Sequence, residues 1–444
     1  MVASYSWICM TNSGAGARVS DRQGKTPRGV LEELAGRIKS GEIKLREVEN
    51  FLGGSSNEAS QARRIYFEDK AGVKTEHLGR HSLDLDGAHG ARTVHEIGAV
   101  QIIVNSAGEL MVNGEYANRV FPIFIAKEEG MLTEGLCRGV GVLNAAGGVT
   151  TAVMKDGMAR DILVGTGGIR ESKRLMEWIN GEGREFLEAE FNRNVGNHGK
   201  FVEVSTDAIG KDVHIRFVGT TGAANGMNKV TIASSRTVSA MITYLKDGLG
   251  MEVCLVSESG NTCTDKKPAQ INNMRGRGVS VLAEATISKA VVALKFNNLT
   301  PGEIADLNTR KNLVGSAMAG SMGFNAHIAN ILAGIYTATG QDLAHIISGS
   351  QGITFMQVDG NGDLYIALRM PSIEVATYGG ATKNETHKEI LQLMGLYGDG
   401  DNDGKTRLAL AEVIAAACLA GELNLIAVQA EKKLALSHGS LRRS

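Results

Sequence analysis

The 444 residues carry 47 basic and 48 acidic side chains, with 43% hydrophobic and 21% charged content. A chain of that length outgrows a single core, which stops near ~250–300 residues, so about two or three domains are expected. The balanced charge leaves no global field for nucleic acid or a membrane surface. The five cysteines (Cys9, Cys137, Cys254, Cys263 and Cys418) show no CxxC spacing, which argues against a disulfide framework or a zinc site and for a reducing, cytoplasmic compartment.

In chain order, residues 1–27 are polar and Gly/Ser-rich, and read as a disordered tail without the apolar stretch of a signal peptide. Residues 28–97 read as a helical N-terminal region, with amphipathic helices over Arg28–Ser40 and Glu58–Lys70. Residues 98–165 open a large domain: strands Ala99–Val104 and Leu110–Val112 flank a turn at Ser106–Gly108, and Glu129–Gly148 reads as a helix with a Gly-rich end. Gly165-Thr166-Gly167-Gly168 reads as a linker. Residues 166–256 then alternate helix Glu171–Asn180, strands Phe201–Ser205 and Val213–Val218, helix Val230–Asp247 and strand Glu252–Val256. That pattern predicts a small inserted α+β domain.

A polar loop, 257–272, returns the chain to the large domain, which runs over 273–444. There Ala290–Lys295 reads as a strand, and Thr354–Gln357 with Leu364–Leu368 as a hairpin. Asn312–Gly340 is nearly free of charge, but Asn325, His327 and Asn330 interrupt it. A buried helix packed through Gly315, Ala319 and Gly323 is the reading, in preference to a membrane span. Thr406–Leu436 reads as helical, with a break near Gly421.

The loop is the most informative stretch. Ser257–Asn272 contains nothing that builds a core, and it places Lys266 and Lys267 beside Asp265. A lysine held on such a loop can stabilise an oxyanion, which suits carbonyl chemistry. An isolated Lys-Lys pair is more often a solvated turn. Further polar islands interrupt apolar runs, at Glu129, Lys311, Asn330, Asp342 and His438. Together they supply an acid, a lysine, a second carboxylate and a histidine, a set that suits carbonyl reduction with proton delivery to two leaving groups. Two other motifs are set aside. Asp399–Gly404 opens like an EF-hand, but Leu410 stands where a bidentate Glu is needed. No GxGxxG follows a strand, so a dinucleotide would bind without a Rossmann fingerprint.

These segments resemble the 3-hydroxy-3-methylglutaryl-coenzyme A (HMG-CoA) reductase family, class I, in its soluble archaeal form. The resemblance is carried by Cys263–Asn272 running into Gly276-Arg277-Gly278, Lys311–Gly320, Asn325–Asn330, Gly340-Gln341-Asp342, Met370–Glu374 and Ala420–Leu423. It implies an α+β fold: a large mixed α/β substrate domain, an inserted ferredoxin-like cofactor domain and a small helical N-terminal region. It implies Glu129, Lys266, Asp342 and His438 as the catalytic set, with Glu129 coupled to Asp342 and raised in pKa. Ser259, Asp265, Lys267, Lys311, Asn330 and Arg138 fall at substrate positions, and Gly226, Met227, Asn228, Gly379 and Gly380 at cofactor positions. The implied reaction takes HMG-CoA to mevalonate with NADPH, NADH being the alternative donor, and needs no metal. The implied assembly is a homodimer or dimer of dimers with sites between subunits.

Several ligand positions depart from the family pattern. Its Asp-Ala-Met-Gly-Met-Asn loop is here Ala223-Ala224-Asn225-Gly226-Met227-Asn228, and Asn197 stands where an arginine meets the NADP 2′-phosphate. Gly379-Gly380-Ala381 replaces three glycines, and Val94–Gly98 retains only part of a dimer motif. Gly135 and Cys137 flank Arg138 in place of Ser and Asn, and Gly165 is expected where the family's substrate-facing arginine falls. A second reading therefore stays open, a catalytically silent relative that binds CoA thioesters or acts as an assembly partner.

Overall fold

The structure, a computed structural model, describes residues 26–86 and 93–432. The tail histidine His438 and the tail at residues 1–25 lie outside them. The chain divides into two compact units, one ending at Gln101 and one starting at Ile102.

In the first unit α1 (Arg28–Lys39) and α2 (Ser56–Ala71) pair. They bury Leu31, Leu34, Ile38, Ala59 and Ala62 against Val48 and Leu52 of the intervening 3-10 turn. Ser55 starts α2 by accepting from Glu58 N, and Gly72 ends it in the left-handed region.

The second unit begins with β1 (Val104–Asn113) and β2 (Asn118–Ala126), followed by α3 (Gly130–Ala145) and β3 (Val149–Thr166). Of the two short strands expected around Ser106–Gly108, Ala99–Val104 is irregular up to Ile103, and the turn and the second strand form one strand with a bulge at Ser106/Glu109, because Asn105, Ser106 and Glu109 keep their ladder partners across the irregularity. β3 is the structural hinge of the unit. Its first half pairs with β7 (Gly278–Ile287) in the large sheet, and its second half pairs with strands of a smaller one. Gly165 and Thr166 therefore belong to a strand, and only Gly167 and Gly168 act as a connector.

The smaller layer continues with α4 (Ile169–Asn180), α5 (Gly183–Val195), β4 (Phe201–Ile209), β5 (Asp212–Gly219), α6 (Met227–Leu249) and β6 (Val253–Ser257). Its strand order is β6-β3-β5-β4, all neighbours antiparallel. One core joins Ile162, Val164, Ile215 and Phe217 to Leu175, Phe191, Val238 and Met241, so the helices cover one face. This is the ferredoxin-like βαββαβ arrangement.

After a short α7 (Gln270–Arg275) and β7, Lys289–Lys295 forms a helix, α8, where a strand was expected. The Ser288 hydroxyl caps it, accepting from Val291 N, a signal that outweighs a six-residue apolar run. Then come α9 (Pro301–Asn308), a widened π turn at Thr309–Gly315, α10 (Ser316–Met318) and α11 (Ile328–Thr339). The stretch expected to be one buried helix is thus two helical pieces, and residues 317–322 between them are exposed. The unit closes with α12 (Ile346–Gly349), β8 (Ile353–Val358), β9 (Leu364–Ile373), α13 (Glu385–Leu393) and α14 (Lys405–Ala430). The large sheet runs β2-β1-β3-β7-β9-β8.

α14 is the core of the large layer. It is long and apolar enough to cross a membrane, yet it is buried against the sheet and neighbouring helices. It is unbroken at Gly421: a Cβ there would collide with Ile331 of α11, so the glycine serves close helix approach and does not end the helix.

Candidate active site

The loop between β6 and α7 lies on the reverse face of the small sheet. Cys263 is buried there against Ala159 and Val218. Asp161 of β3, fully buried, pins the loop: its carbonyl accepts from Gly260 N at 3.1 Å, and its Oδ2 accepts from Thr262 N at 2.9 Å. His214 Nδ1 meets the same Oδ2 at 2.9 Å. Arg160 Nε donates to Glu258 O at 2.9 Å. Gly165, the position expected for the family's substrate-facing arginine, is a residue of β3 that faces Cys254 and Val256.

So fastened, the loop carries Lys266 at φ 57°, a left-handed conformation that a lysine adopts only when its surroundings hold it there. Lys266 Nζ lies 2.8 Å from Asp342 Oδ2, with both side chains nearly half exposed. The Asp342 hydrogen bond raises the lysine's pKa. Burial works to raise the Asp342 pKa but is outweighed by Lys266 and by the Ala344 N–H, so the net shift is downward. Both groups are held in their charged forms, a cation presented at a cleft.

That cleft, about 480 Å³, is lined by Lys266, Asp342 and His345 together with Gly226, Met227, Asn228, Lys229, Gly379 and Gly380. The two cofactor segments expected from sequence thus share one wall. The Ala223 carbonyl joins them, accepting from Thr377 N at 2.9 Å and Tyr378 N at 3.2 Å. Gly226, at φ 78°, precedes the first turn of α6. Gly379 and Gly380 both have positive φ, and a Cβ on either would enter open space. Glycines that leave room for close approach beside a helix start, with Lys229 in the first turn, fit the phosphates of a dinucleotide.

Glu129 stands elsewhere. It precedes α3, bonded to Lys127 Nζ at 2.8 Å and to Asn330 Nδ2 at 3.2 Å. Asn330 lies near the start of α11 and Asp342 beyond its end, so roughly 14 Å of helix separates them at 1.5 Å per residue. Within one chain Glu129 is therefore not coupled to Asp342. Its pKa also departs from the expectation: burial raises it, but Lys127 and Asn330 prevail and hold it below the ordinary value. Lys311 is half-buried, its Nζ donating to Asn312 Oδ1 at 3.0 Å, and burial depresses its pKa. Lys267 Nζ donates to Asn261 Oδ1 at 2.7 Å, and Ser259 sits half-buried at the loop's start. Arg138 is engaged by Glu431 and the Lys295 carbonyl, both at 2.7 Å, over the Phe296 ring.

Sequence reasoning missed the layer beneath Lys266. Asp265 Oδ1 lies 3.0 Å from Arg277 Nη1 and 3.3 Å from His345 Nε2, and both of those side chains are buried on Glu374. Burial works to raise the Asp265 pKa, yet the His345 hydrogen bond, Arg277 and Lys266 bring it down to about 2. With the folded value below the ordinary 3.8, its stabilisation is complete above about pH 5 and is lost as pH falls from about 4 towards 2. Asp265→Asn is expected to remove about 2 kcal/mol at neutral pH and to flatten that acid limb. Urea midpoints measured between pH 2 and pH 7 check this, and an unchanged limb in the variant would assign the acid sensitivity elsewhere.

A lysine kept charged beside a glycine-walled cleft suits the reduction of a carbonyl. The comparisons agree. Residues 59–443 match the family described as hydroxymethylglutaryl-coenzyme A reductase. The 3-hydroxy-3-methylglutaryl-coenzyme A reductase of Pyrococcus abyssi is 41% identical over 413 residues, covering 93% of this chain and all of that protein. That of Methanothermobacter thermautotrophicus is 41% identical over 407 residues, covering 91% and 98%. The NADPH-bound class II enzyme of Streptococcus pneumoniae, in open conformations, shares the fold with a TM-score of 0.59 at 18% identity, over 77% of this chain and 78% of that one. The chain belongs to the hydroxymethylglutaryl-coenzyme A reductase family and is an oxidoreductase.

Proposed function

We propose that this chain reduces HMG-CoA to mevalonate and CoA, using two hydrides from NADPH, as an enzyme of the class I archaeal type working in the mevalonate pathway. The observation that carries it is the Lys266–Asp342 pair opening on the glycine-walled cleft. The 41% identity over whole archaeal relatives supports the class.

The nicotinamide cofactor supplies hydride. Lys266, kept protonated by Asp342, donates to the oxyanion formed at the thioester carbon. When that oxyanion collapses the C–S bond breaks, and His438 hands a proton to the departing thiolate. The aldehyde then takes the second hydride, and Glu129 supplies the proton to its oxygen. Ser259, Lys267, Lys311 and Asn330 hold the HMG carboxylate, Arg160 flanks it, and Arg138 faces the CoA side. The separation of Glu129 from Lys266 along α11 supports a site completed by a second copy, hence a homodimer or dimer of dimers. In such a site a carboxylate beside Glu129 would lift the pKa that Lys127 now lowers. Asp265, His345 and Glu374 lie close enough to hold a cation, but Arg277 already neutralises them, so the reading uses no metal. An assay at 340 nm with HMG-CoA tests the proposal. Binding of HMG-CoA with no cofactor oxidation at high protein concentration would favour the silent relative instead.

Cofactor choice follows from residues 197–200. Asn197 and Lys200 are exposed, and the His198 carbonyl abuts Gly222 of the cofactor loop. Lys200 offers a point charge where an arginine would grip the 2′-phosphate in two places. Loss of one charge-assisted bond costs roughly 1.5–3 kcal/mol, about ten- to a hundredfold. NADPH is expected to be preferred over NADH by correspondingly less than in a relative with the arginine. The preference should shrink with salt. The ratio of kcat/KM values at low and high ionic strength checks it, and a strong, salt-insensitive preference would overturn it.

A further inference from the structure

Two buried side chains connect the wall of the cofactor cleft to the catalytic loop, and both rest on one carboxylate. Glu374 follows β9 and is buried, its Oε1 accepting from Ser348 Oγ at 2.6 Å. Its Oε2 meets the Arg277 guanidinium and, at 3.2 Å, His345 Nε2. Both groups then reach forward to the same oxygen, Asp265 Oδ1, in the residue next to Lys266. Both also reach sideways to the loop that starts α6. Arg277 Nη2 touches the Met227 sulfur, and His345 Nδ1 lies 3.5 Å from Asn225 Nδ2. With the Asn225 amide donating to Nδ1, Nε2 carries the proton and lies between two carboxylates. Each of the two links is contiguous, through Asn225 at 3.5 Å in one and the Met227 sulfur in the other. The Asn225–Gly226–Met227 turn lines the cofactor cleft, and the far end is the residue that sets the Lys266 backbone.

We infer that His345 and Arg277, seated on Glu374, are positioning residues that make the placement of Lys266 depend on how a nicotinamide dinucleotide seats against Asn225–Met227. Binding of the dinucleotide and of the thioester is thereby coupled. The inference rests on the functional reading above. A shift of the Asn225–Met227 turn moves His345 and Arg277 together, and because Asp265 Oδ1 receives both, the loop backbone at Lys266 follows. Nothing in this arrangement touches a reacting atom, so its removal acts through geometry. Coupling between two sites of one molecule is reciprocal and typically amounts to 5–150-fold in affinity.

The test uses the intact protein and the unreactive pair of NADP⁺ with HMG-CoA, measured by calorimetry. In the unaltered protein, saturating NADP⁺ is expected to tighten HMG-CoA binding about tenfold. His345→Gln and Asn225→Ala are each expected to lower that factor to about threefold, the Arg277–Met227 link being left in place. The double variant should show no further loss, because both changes cut one link. Turnover at saturation falls in parallel, and the KM for HMG-CoA at saturating cofactor rises by about the factor of coupling lost. Asn225 opens on the cleft and its loss leaves the buried charges paired, so Asn225→Ala carries the test where His345→Gln lowers the melting temperature. Absence of coupling in the unaltered protein overturns the inference, as does full coupling retained in Asn225→Ala. Failure of the unaltered protein to bind or reduce HMG-CoA is distinguishable from both, and overturns the functional reading and this inference with it.

Discussion

Lys266→Ala is expected to lower kcat by about 10²–10³-fold, the cost of removing one preorganised donor to an oxyanion. The loss should appear in kcat more than in the KM for HMG-CoA, because the ammonium meets full negative charge only as the tetrahedral oxyanion forms. The fold should survive, since Lys266 is nearly half exposed and its ion pair with Asp342 lies at the cleft surface. An exposed pair of that kind contributes little stability. Alanine is no worse than lysine at φ 57°, so the loop backbone is not newly strained. Lys267→Ala is the matched control. Its ammonium points to Asn261 and not to Asp342, so it should weaken HMG-CoA binding while leaving most of the maximal rate. Steady-state rates at 340 nm with a thermal melt of each variant decide the matter. A Lys266→Ala protein that kept more than a tenth of the maximal rate would place the oxyanion donor elsewhere.

The loop was legible in the sequence because its chemistry is contiguous. Asp265, Lys266 and Lys267 are adjacent in a stretch that cannot build a core, and turn residues pass such information directly. The small sheet was legible for a related reason: three of its four strands and two of its helices carry their own period, while β3 and α5 went unread. What stayed hidden depends on contacts far apart in the chain. β3 spans 18 residues, but Lys155-Asp156-Gly157 interrupts its apolar alternation where it passes from one sheet to the other, with a bulge at Val153/Lys155. Lys289–Lys295 shows why a short apolar run is ambiguous. Only the Ser288 cap, one residue outside it, decides for helix. Gly421 looked like a helix break, yet its reason is Ile331, ninety residues upstream. Arg277 and Glu374 lay inside segments that carried the resemblance, but their pairing did not show there, and His345 gave no signal, because no local pattern announces that Arg277 and His345 meet one oxygen of the buried Glu374. The Glu129 environment was misjudged for another physical reason. Its expected partner lies across the length of α11, so the single chain gives it Lys127 and a lowered pKa in place of a neighbouring carboxylate.

Glu412→Ala is expected to cost about 3–5 kcal/mol of stability in the second unit, a large share of the ~5–15 kcal/mol that holds a typical domain. Glu412 lies in the buried middle of α14 and is fully inaccessible, a position where a carboxylate survives only if its oxygens are satisfied. They are satisfied by backbone. Oε1 accepts from Glu115 N at 3.1 Å, and Oε2 accepts from Tyr116 N at 2.9 Å and Ala117 N at 2.7 Å. Those three N–H groups form the turn between β1 and β2, closed by Gly114 N to Ala117 O at 2.8 Å. A Cβ on Gly114 would run into Glu412 and Thr151, so the turn rests directly on the helix. Alanine leaves three donors without their acceptor, that of Ala117 fully buried, and a cavity the size of the lost side chain. Glu412→Gln is the sharper variant. It keeps the volume but turns one acceptor into an NH2 facing an N–H, so it should still lose at least half of that stability. Glu412 touches nothing in the cleft, so residual folded protein should keep its KM for HMG-CoA while the urea midpoint falls. A Glu412→Gln protein that unfolded at the same urea concentration as the unaltered chain would mean that the β1–β2 turn is held by its ladder alone.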